Sequence, residues 1–150
     1  MSKQTIRSED DLQSASYRFE FDKDICLGCG TCISACSIFH EGVVDEALAR
    51  IRLSRHIFGI EYIVDFCRQC DHAECYYVCP VDAINVDTKT GARVIDESAC
   101  TGCEMCIEAC PFDMIFFSKE RNVALKCDSC GGEPQCVRLC PTGALTISSR

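Results

Sequence analysis

Sixteen cysteines fall into four runs of four, and none is left over. The most regular run is Cys100-Thr101-Gly102-Cys103-Glu104-Met105-Cys106-Ile107-Glu108-Ala109-Cys110-Pro111. Its C-x2-C-x2-C-x3-C-P spacing suits thiolate ligation of cubane [4Fe–4S] clusters. The others are Cys26, Cys29, Cys32 and Cys36; Cys67, Cys70, Cys75 and Cys79; and Cys127, Cys130, Cys136 and Cys140. A cubane needs four thiolates arranged tetrahedrally. Cysteines at i, i+3 and i+6 of a curling loop can occupy three corners, but the next one along cannot easily reach the fourth. The segments from Cys32 to Cys36, Cys75 to Cys79, Cys106 to Cys110 and Cys136 to Cys140 each span one helical turn, about 6 Å along the axis. Pro80, Pro111 and Pro141 discourage helix at the cysteine before them, so three of these turns should stop there. Each turn therefore carries one cluster and offers its last sulfur to a neighbouring one. The first run has Ser37 where the others have proline. Gly28 and Gly102 are expected to free the dihedrals for a tight wrap and to keep a side chain off the cube.

Other chemistries of dense cysteine fit less well. Disulfide scaffolds belong to secreted chains, and residues 1–10 hold no apolar stretch of the kind that directs secretion. Structural zinc takes two separated C-x2-C pairs per ion and has no use for a third cysteine three residues on, or for a Cys-Pro ending. The 150 residues are 47% hydrophobic, but 16 of them are these cysteines. Without the cysteines roughly 36% is apolar, against ~45–50% in ordinary globular domains. That is one domain, or two small ones sharing a core, poorly supplied with apolar side chains; metal–ligand bonds must supply what they do not. The formal charge is −8, from 15 basic and 23 acidic side chains. Four dipositive cores on sixteen thiolates would add roughly eight further negative charges. Such a molecule is repelled by phosphate backbones, so nucleic acid is not an expected partner. No run approaches the ~20 apolar residues of a membrane-spanning helix, so direct membrane insertion is not expected.

Around the cysteines the pattern is of short elements. Residues 1–16 are polar and read as a flexible tail. Tyr17-Arg18-Phe19-Glu20-Phe21-Asp22 alternates as a half-buried strand. In the insertion between Cys36 and Cys67, residues 41–50 read as a helix, and residues 49–53 and 61–66 as strands. Residues 81–86 and 92–96 form a hairpin with Gly91 at its tip. Each Cys-Pro is followed shortly by an apolar strand, ending with residues 144–147. His40, His56 and His72 read as surface or capping residues, since sixteen cysteines already satisfy four clusters. Tyr76, Tyr77, Phe112, Phe116 and Phe117 read as packing that excludes water from the clusters. Arg68, Lys126 and Arg138 adjoin ligands; they either raise a cluster's potential or only keep an acidic protein soluble. No nucleophile–base pair and no phosphate-cradling loop is evident, so no catalytic residue is expected.

The second and third runs, with the hairpin between them, resemble a complete two-cluster bacterial ferredoxin over about residues 67–118. That resemblance implies one cluster on Cys67, Cys70, Cys75 and Cys110, and another on Cys100, Cys103, Cys106 and Cys79. Over residues 17–147 the chain resembles the four-cluster electron-transfer subunits of molybdenum and tungsten oxidoreductases, hydrogenases and carbon monoxide dehydrogenases. In that family the first and last runs pair. The resemblance then implies Cys26, Cys29, Cys32 and Cys140 on one outer cluster, and Cys127, Cys130, Cys136 and Cys36 on the other. The fold implied is α+β: a duplicated ferredoxin-like fold of short β-hairpins and short helices around four [4Fe–4S] clusters. It would comprise a polyferredoxin over 17–150, with an inner module at about 67–118 and an outer one made of 17–66 plus 119–150.

The function implied is that of a non-catalytic, cytoplasmic subunit relaying single electrons within an oxidoreductase complex. The stretches Gly28-Cys29-Gly30-Thr31-Cys32, Cys67-Arg68-Gln69-Cys70-Asp71-His72-Ala73-Glu74-Cys75 and Lys126-Cys127-Asp128-Ser129-Cys130-Gly131-Gly132 look like the small iron–sulfur subunit of tungsten-dependent aldehyde oxidoreductases. A tungsten– or molybdenum–pterin subunit is thus the expected catalytic partner, with a flavoprotein or soluble ferredoxin at the other terminus. The alternatives are the equivalent subunit of a hydrogenase, carbon monoxide dehydrogenase or formate dehydrogenase, and a free-standing polyferredoxin carrier. Because so little of the core is apolar, anaerobic removal of iron should leave the chain largely unfolded. Far-ultraviolet circular dichroism before and after chelation checks this, with native-like ellipticity in the iron-free chain as the contrary result.

Overall fold

The computed structural model describes residues 17–56, 58 and 61–149, so the expected tail at 1–16 lies outside the described residues. The described chain is small and α+β, with every strand in a two-stranded antiparallel sheet. β1 (Tyr17–Phe21) pairs with β8 (Leu145–Ser149), which joins the two ends of the chain. β2 (Arg52–His56) pairs with β3 (Glu61–Asp65), β4 (Ile84–Val86) with β5 (Arg93–Ile95), and β6 (Ile115–Ser118) with β7 (Val123–Lys126). Four helices lie between them: α1 (Thr31–Glu41), α2 (Glu74–Val78), α3 (Met105–Ala109) and α4 (Gln135–Arg138). α1 packs on α4, and α2 on α3.

The helices show what the prolines do. α2 ends at Val78 and α3 at Ala109, and in each the next residue is a cysteine in extended conformation followed by proline. α4 ends at Arg138, two residues before Cys140. In the first run Ser37 can donate its amide where proline could not, and α1 continues to Glu41. It stops at Gly42, whose φ of 74° is left-handed and whose N–H caps the Ile38 carbonyl.

Two expectations for the insertion need correcting. Residues 41–50 are not a helix: after Gly42 only a single 3-10 turn forms, Glu46–Leu48, with the Ala47 amide donating to the Asp45 carboxylate. The glycine ends α1, and the β-branched pair Val43-Val44 does not restart it. The first insertion strand begins at Arg52 rather than Ala49; Ala49 and Ile51 are instead buried in the core before the strand starts.

Among the described residues there are two apolar cores. One gathers Ile33, Ile51, Leu53, Val64, Phe66 and Leu145 around Cys32, Cys36 and Cys136. The other gathers Ala73, Tyr76, Ile84, Ile115 and Ala124 around Cys106. In both, ligand-type cysteines are part of the core itself. The period-2 reading of residues 17–22 holds: β1 alternates half-buried and exposed, and Phe19 packs 5.3 Å from the Phe66 ring.

Gly28 and Gly102 are left-handed, with φ of 63° and 71°. Among the described atoms, a Cβ on Gly28 would meet the Tyr62 ring at 2.3 Å, and one on Gly102 the Asn122 backbone carbonyl at 2.5 Å. Close approach of a second chain segment is therefore a reason for these glycines that the sequence did not suggest. Gly102→Ala should destabilise by about 2–5 kcal/mol, through left-handed strain plus overpacking against backbone. Gly42→Ala, with nothing within 4 Å of its Cβ, should lose about 1 kcal/mol from strain alone. Thermal midpoints of the two variants should rank in that order, and equal midpoints would sink the packing argument.

Candidate metal centres

The four runs do not close on themselves. Cys26, Cys29 and Cys32 line a cavity with Cys140, from the other end of the chain. Cys67, Cys70 and Cys75 line a second with Cys110. Cys100, Cys103 and Cys106 line a third with Cys79. Cys36 is an electrostatic neighbour of Cys130 and Cys136, and Cys127 of Cys136. All sixteen are free thiols.

The helical turns make this arrangement. Cys32 and Cys36 sit on one face of α1, four residues apart, so one faces the first cavity and the other faces Cys130 and Cys136. α2 separates Cys75 in the second cavity from Cys79 in the third, and α3 separates Cys106 in the third from Cys110 in the second. The positive φ values of Gln69, Glu104 and Cys130 curl the runs around their centres. Backbone amides point at the sulfurs: Arg50 N–H donates to Cys36 Sγ at 3.2 Å, Ala83 to Cys79 at 3.3 Å, Ser129 to Cys127 at 3.4 Å and Ala124 to Cys100 at 3.5 Å. Such bonds favour the thiolate.

Several of the buried thiols nonetheless resist ionisation on their own. Burial, and then the neighbouring thiols, push Cys32, Cys75, Cys106 and Cys130 up to about 11 and Cys136 up to about 12. Four anionic sulfurs can share such a space only around a cationic core, because a bound metal centre replaces the lost hydration and balances the charge. One further polar group fits. The Ser129 hydroxyl, between Cys127 and Cys130, is buried and has no hydrogen-bond partner among the described residues. An inorganic sulfide would give it one. The donor set, its spacing and its buried surroundings all fit [4Fe–4S] clusters.

His40 is not the surface or capping residue expected. Its side chain is 7% exposed; Nδ1 lies 2.9 Å from the Cys36 carbonyl and 3.8 Å from Cys36 Sγ, and Nε2 lies 2.9 Å from Asp128 Oδ1. Burial opposes its charge, but the hydrogen bonds it donates to Asp128 and Cys36 outweigh burial and hold the imidazolium up to about 10. The same contact outweighs burial at Asp128 and holds its carboxyl down to about 2. Arg50 bridges Asp128, Glu41 and Glu97, and Arg121 binds the latter two, so residues 41, 50, 97, 121 and 128 form one ionic network. The one sequence signal for His40 was its place one helical turn after Cys36. The other two histidines expected at the surface, His56 and His72, are exposed, and His72 pairs with Glu74 at 3.2 Å.

The three cations beside ligands separate clearly. Arg68 is exposed, its guanidinium 5.2 Å from the Phe66 ring centroid and 5.8 Å from that of Phe112. Arg138 is exposed near Glu133. Lys126 is 2% exposed. Of the aromatic residues read as packing, Tyr76 is buried, while Phe112 is 47% exposed.

Comparison with known proteins agrees with this donor set. Residues 58–150 match the family model described as a 4Fe-4S dicluster domain, and residues 23–42 match a 4Fe-4S binding domain. The chain is 38% identical over 117 residues to the polyferredoxin-like subunit of aliphatic sulfonate oxidoreductase from Pyrococcus furiosus, covering 78% of this chain and 67% of that one. It is 32% identical over 139 residues to the thiosulfate reductase electron transfer subunit of Salmonella typhi, covering 83% and 71%. Among solved structures, a chain of the BamBC active-site complex of benzoyl coenzyme A reductase, in complex with 1,5-dienoyl-CoA, superposes with a TM-score of 0.56 at 26% identity, over 92% of this chain and 78% of that one. On a family match that spans more than half its length, and on thiols gathered in fours from separate runs, this chain belongs to the 4Fe-4S dicluster domain family and binds multiple [4Fe–4S] clusters.

Proposed function

We propose that the chain is the electron-transfer subunit of a multi-subunit oxidoreductase, carrying single electrons along four [4Fe–4S] clusters. The observation that carries this reading is the sharing of helical turns. Every C-x3-C turn reaches two cysteine groups, so no group stands apart from a neighbour. Isolated sites would need no such coupling. The ligand sets we assign are Cys26, Cys29, Cys32 and Cys140; Cys67, Cys70, Cys75 and Cys110; Cys100, Cys103, Cys106 and Cys79; and Cys127, Cys130, Cys136 and Cys36. When bound, each cluster supplies a one-electron couple; the chain's own work is to hold the thiolates, aim amides at them and exclude water. The names of the relatives support the role, since they include a polyferredoxin-like subunit and an electron transfer subunit of oxidoreductases.

The same reading makes the chain a pair of ferredoxin-like modules, an inner one at about 67–118 within an outer one of 17–66 plus 119–150. The pairing of β1 with β8 supports this by joining the chain's ends. The catalytic partner we read as a tungsten– or molybdenum–pterin subunit, the narrower choice being an aldehyde oxidoreductase, and the other terminus as a flavoprotein or soluble ferredoxin. These finer assignments rest on the motifs around Cys29, Cys70 and Cys130. The reading includes a cytoplasmic setting, where thiols are kept reduced. Among the described residues no helix is long and apolar enough to cross a membrane.

Anaerobic purification from the native source should yield about 16 iron and 16 sulfide per chain, and larger subunits that remain attached at high salt. A content near eight would refute the four-cluster reading, and turnover by the isolated chain without a partner would refute the subunit reading. The crossed ligand sets are separately testable. Cys110→Ser should perturb the same electron paramagnetic resonance signal as Cys67→Ser and leave the one altered by Cys100→Ser unchanged; the opposite grouping would overturn them.

A further inference from the structure

The last residue of β7 and the first of β5 bring two cations into one cysteine-lined space. Lys126 is 2% exposed and Arg93 is 1% exposed, and both line the cavity of about 390 Å³ that also holds Cys67, Cys70, Cys75 and Cys110. The Lys126 ammonium donates to the Arg93 and Cys127 carbonyls and to the Cys67 sulfur. Arg93 donates to the carbonyls of Gly91 at 2.9 Å and Asp71 at 3.1 Å. Gln69 fixes the geometry: its amide donates to the Cys127 carbonyl at 2.8 Å, and its oxygen accepts from the Arg93 backbone at 2.7 Å. Among the described residues the hydrogen-bond partners of Lys126 are thus carbonyls and a thiol, with no carboxylate. A buried ammonium without a counter-ion is expensive. Glu74 also lines the cavity but is exposed and pairs with His72, so among the described residues the negative charge built to face this ammonium is a thiolate-bound cluster.

Two of the other three cysteine groups lack this feature, and the group of Cys36, Cys127, Cys130 and Cys136 meets Lys126 at Cys127. No charged side chain lines the cavity of Cys26, Cys29, Cys32 and Cys140. The single charged residue lining that of Cys79, Cys100, Cys103 and Cys106 is an acid, Glu104. Beside Cys36, Cys130 and Cys136, the cations His40 and Arg50 are each matched by Asp128, and Arg50 also by Glu41 and Glu97.

We infer that Lys126, seconded by Arg93, sets the reduction potential of the cluster on Cys67, Cys70, Cys75 and Cys110, making it the first of the four to be reduced. This rests on the four-cluster reading above. Adding one electron takes that core from 2+ to 1+; no bond forms or breaks and no proton moves. The electron comes from the neighbouring cluster on Cys36, Cys127, Cys130 and Cys136, or from dithionite in a titration. The extra negative charge is felt at short range, in a site where water does not screen it, so the reduced form gains more from the cations than the oxidised form does. Lys126 also touches Cys127 of the next group. Lys126 is a positioning residue for charge; it exchanges no electron itself.

The test is a redox titration of the anaerobically prepared full-chain holoprotein, followed by electron paramagnetic resonance, for wild type, Lys126→Gln and Lys119→Gln. Lys119 is exposed, so its substitution makes the same formal charge change in water. In Lys126→Gln the equilibrium constant of the first reduction step should fall at least tenfold, about 59 mV for one electron. Lys119→Gln should leave it unchanged. Iron content on the same samples separates the two levels: about eight per wild-type chain defeats the four-cluster reading itself. Full iron with an unmoved first step in Lys126→Gln defeats the role of Lys126 alone. Should Lys126→Gln fail to hold its clusters, wild type labelled with ε-15N lysine decides. Poised so that only the first signal is present, it should show spin-echo modulation from a lysine side-chain nitrogen. Absence of that modulation overturns the inference.

Discussion

One helical turn between two thiols governs this structure. The turn is too short to bring both sulfurs to the same cube and too rigid to let the second one turn back. Each of the four C-x3-C turns must therefore face two metal centres, and the chain must bring its runs together in crossed pairs. The short helices pack in the same pairs, α1 on α4 and α2 on α3. The strands follow from this. β1 and β8 join the ends of the chain because Cys140 has to reach the first run, and β4 and β5 return the chain from the second run to the third.

The second constraint is electrostatic. Thiols from all four runs are drawn into two small cores, and burial drives the deepest thiols well above the ordinary thiol range. Cationic metal centres remove that penalty, which ties folding to cluster assembly. The polypeptide supplements them unevenly. Amides reach at least four of the sulfurs, the ionic network around Arg50 neutralises one group's surroundings, and Lys126 places a buried ammonium, with no carboxylate partner among the described residues, beside Cys67 and Cys127. In a net-acidic chain, that ammonium sets the groups around Cys67 and Cys127 apart from the other two.

The readings that failed did so for local reasons with long-range consequences. Residues 41–50 have helix-forming composition, yet Gly42 ends α1 in a left-handed cap, and Glu41 and Arg50 are held in ion pairs with Glu97, Arg121 and Asp128. His40 looked like one of three dispensable histidines. It is buried because Asp128, 88 residues later, comes within hydrogen-bonding distance. Lys126 looked like Arg68 and Arg138 in sequence, each adjacent to or near a cysteine. Burial separates them, and burial at Lys126 depends on β5, Gln69 and Cys67 meeting behind it.

Cysteine count, spacing and the Cys-Pro endings determined the chemistry without any structure, since cubane ligation demands those residues at those intervals. They also foretold where three helices stop, because proline acts on the residue beside it. The alternation at residues 17–21 likewise marked a half-buried strand. Only the tertiary structure decided which side chains of like type become buried, because burial is a property of segments far apart in sequence. It decided that Gly28 faces Tyr62 and Gly102 faces Asn122, that His40 finds Asp128, and that one lysine of three flanking cations lies in the dark between two cysteine groups. A ligand's identity is local, and sequence carries it; the field around a ligand is summed over every neighbour in space, and only folding assembles that sum.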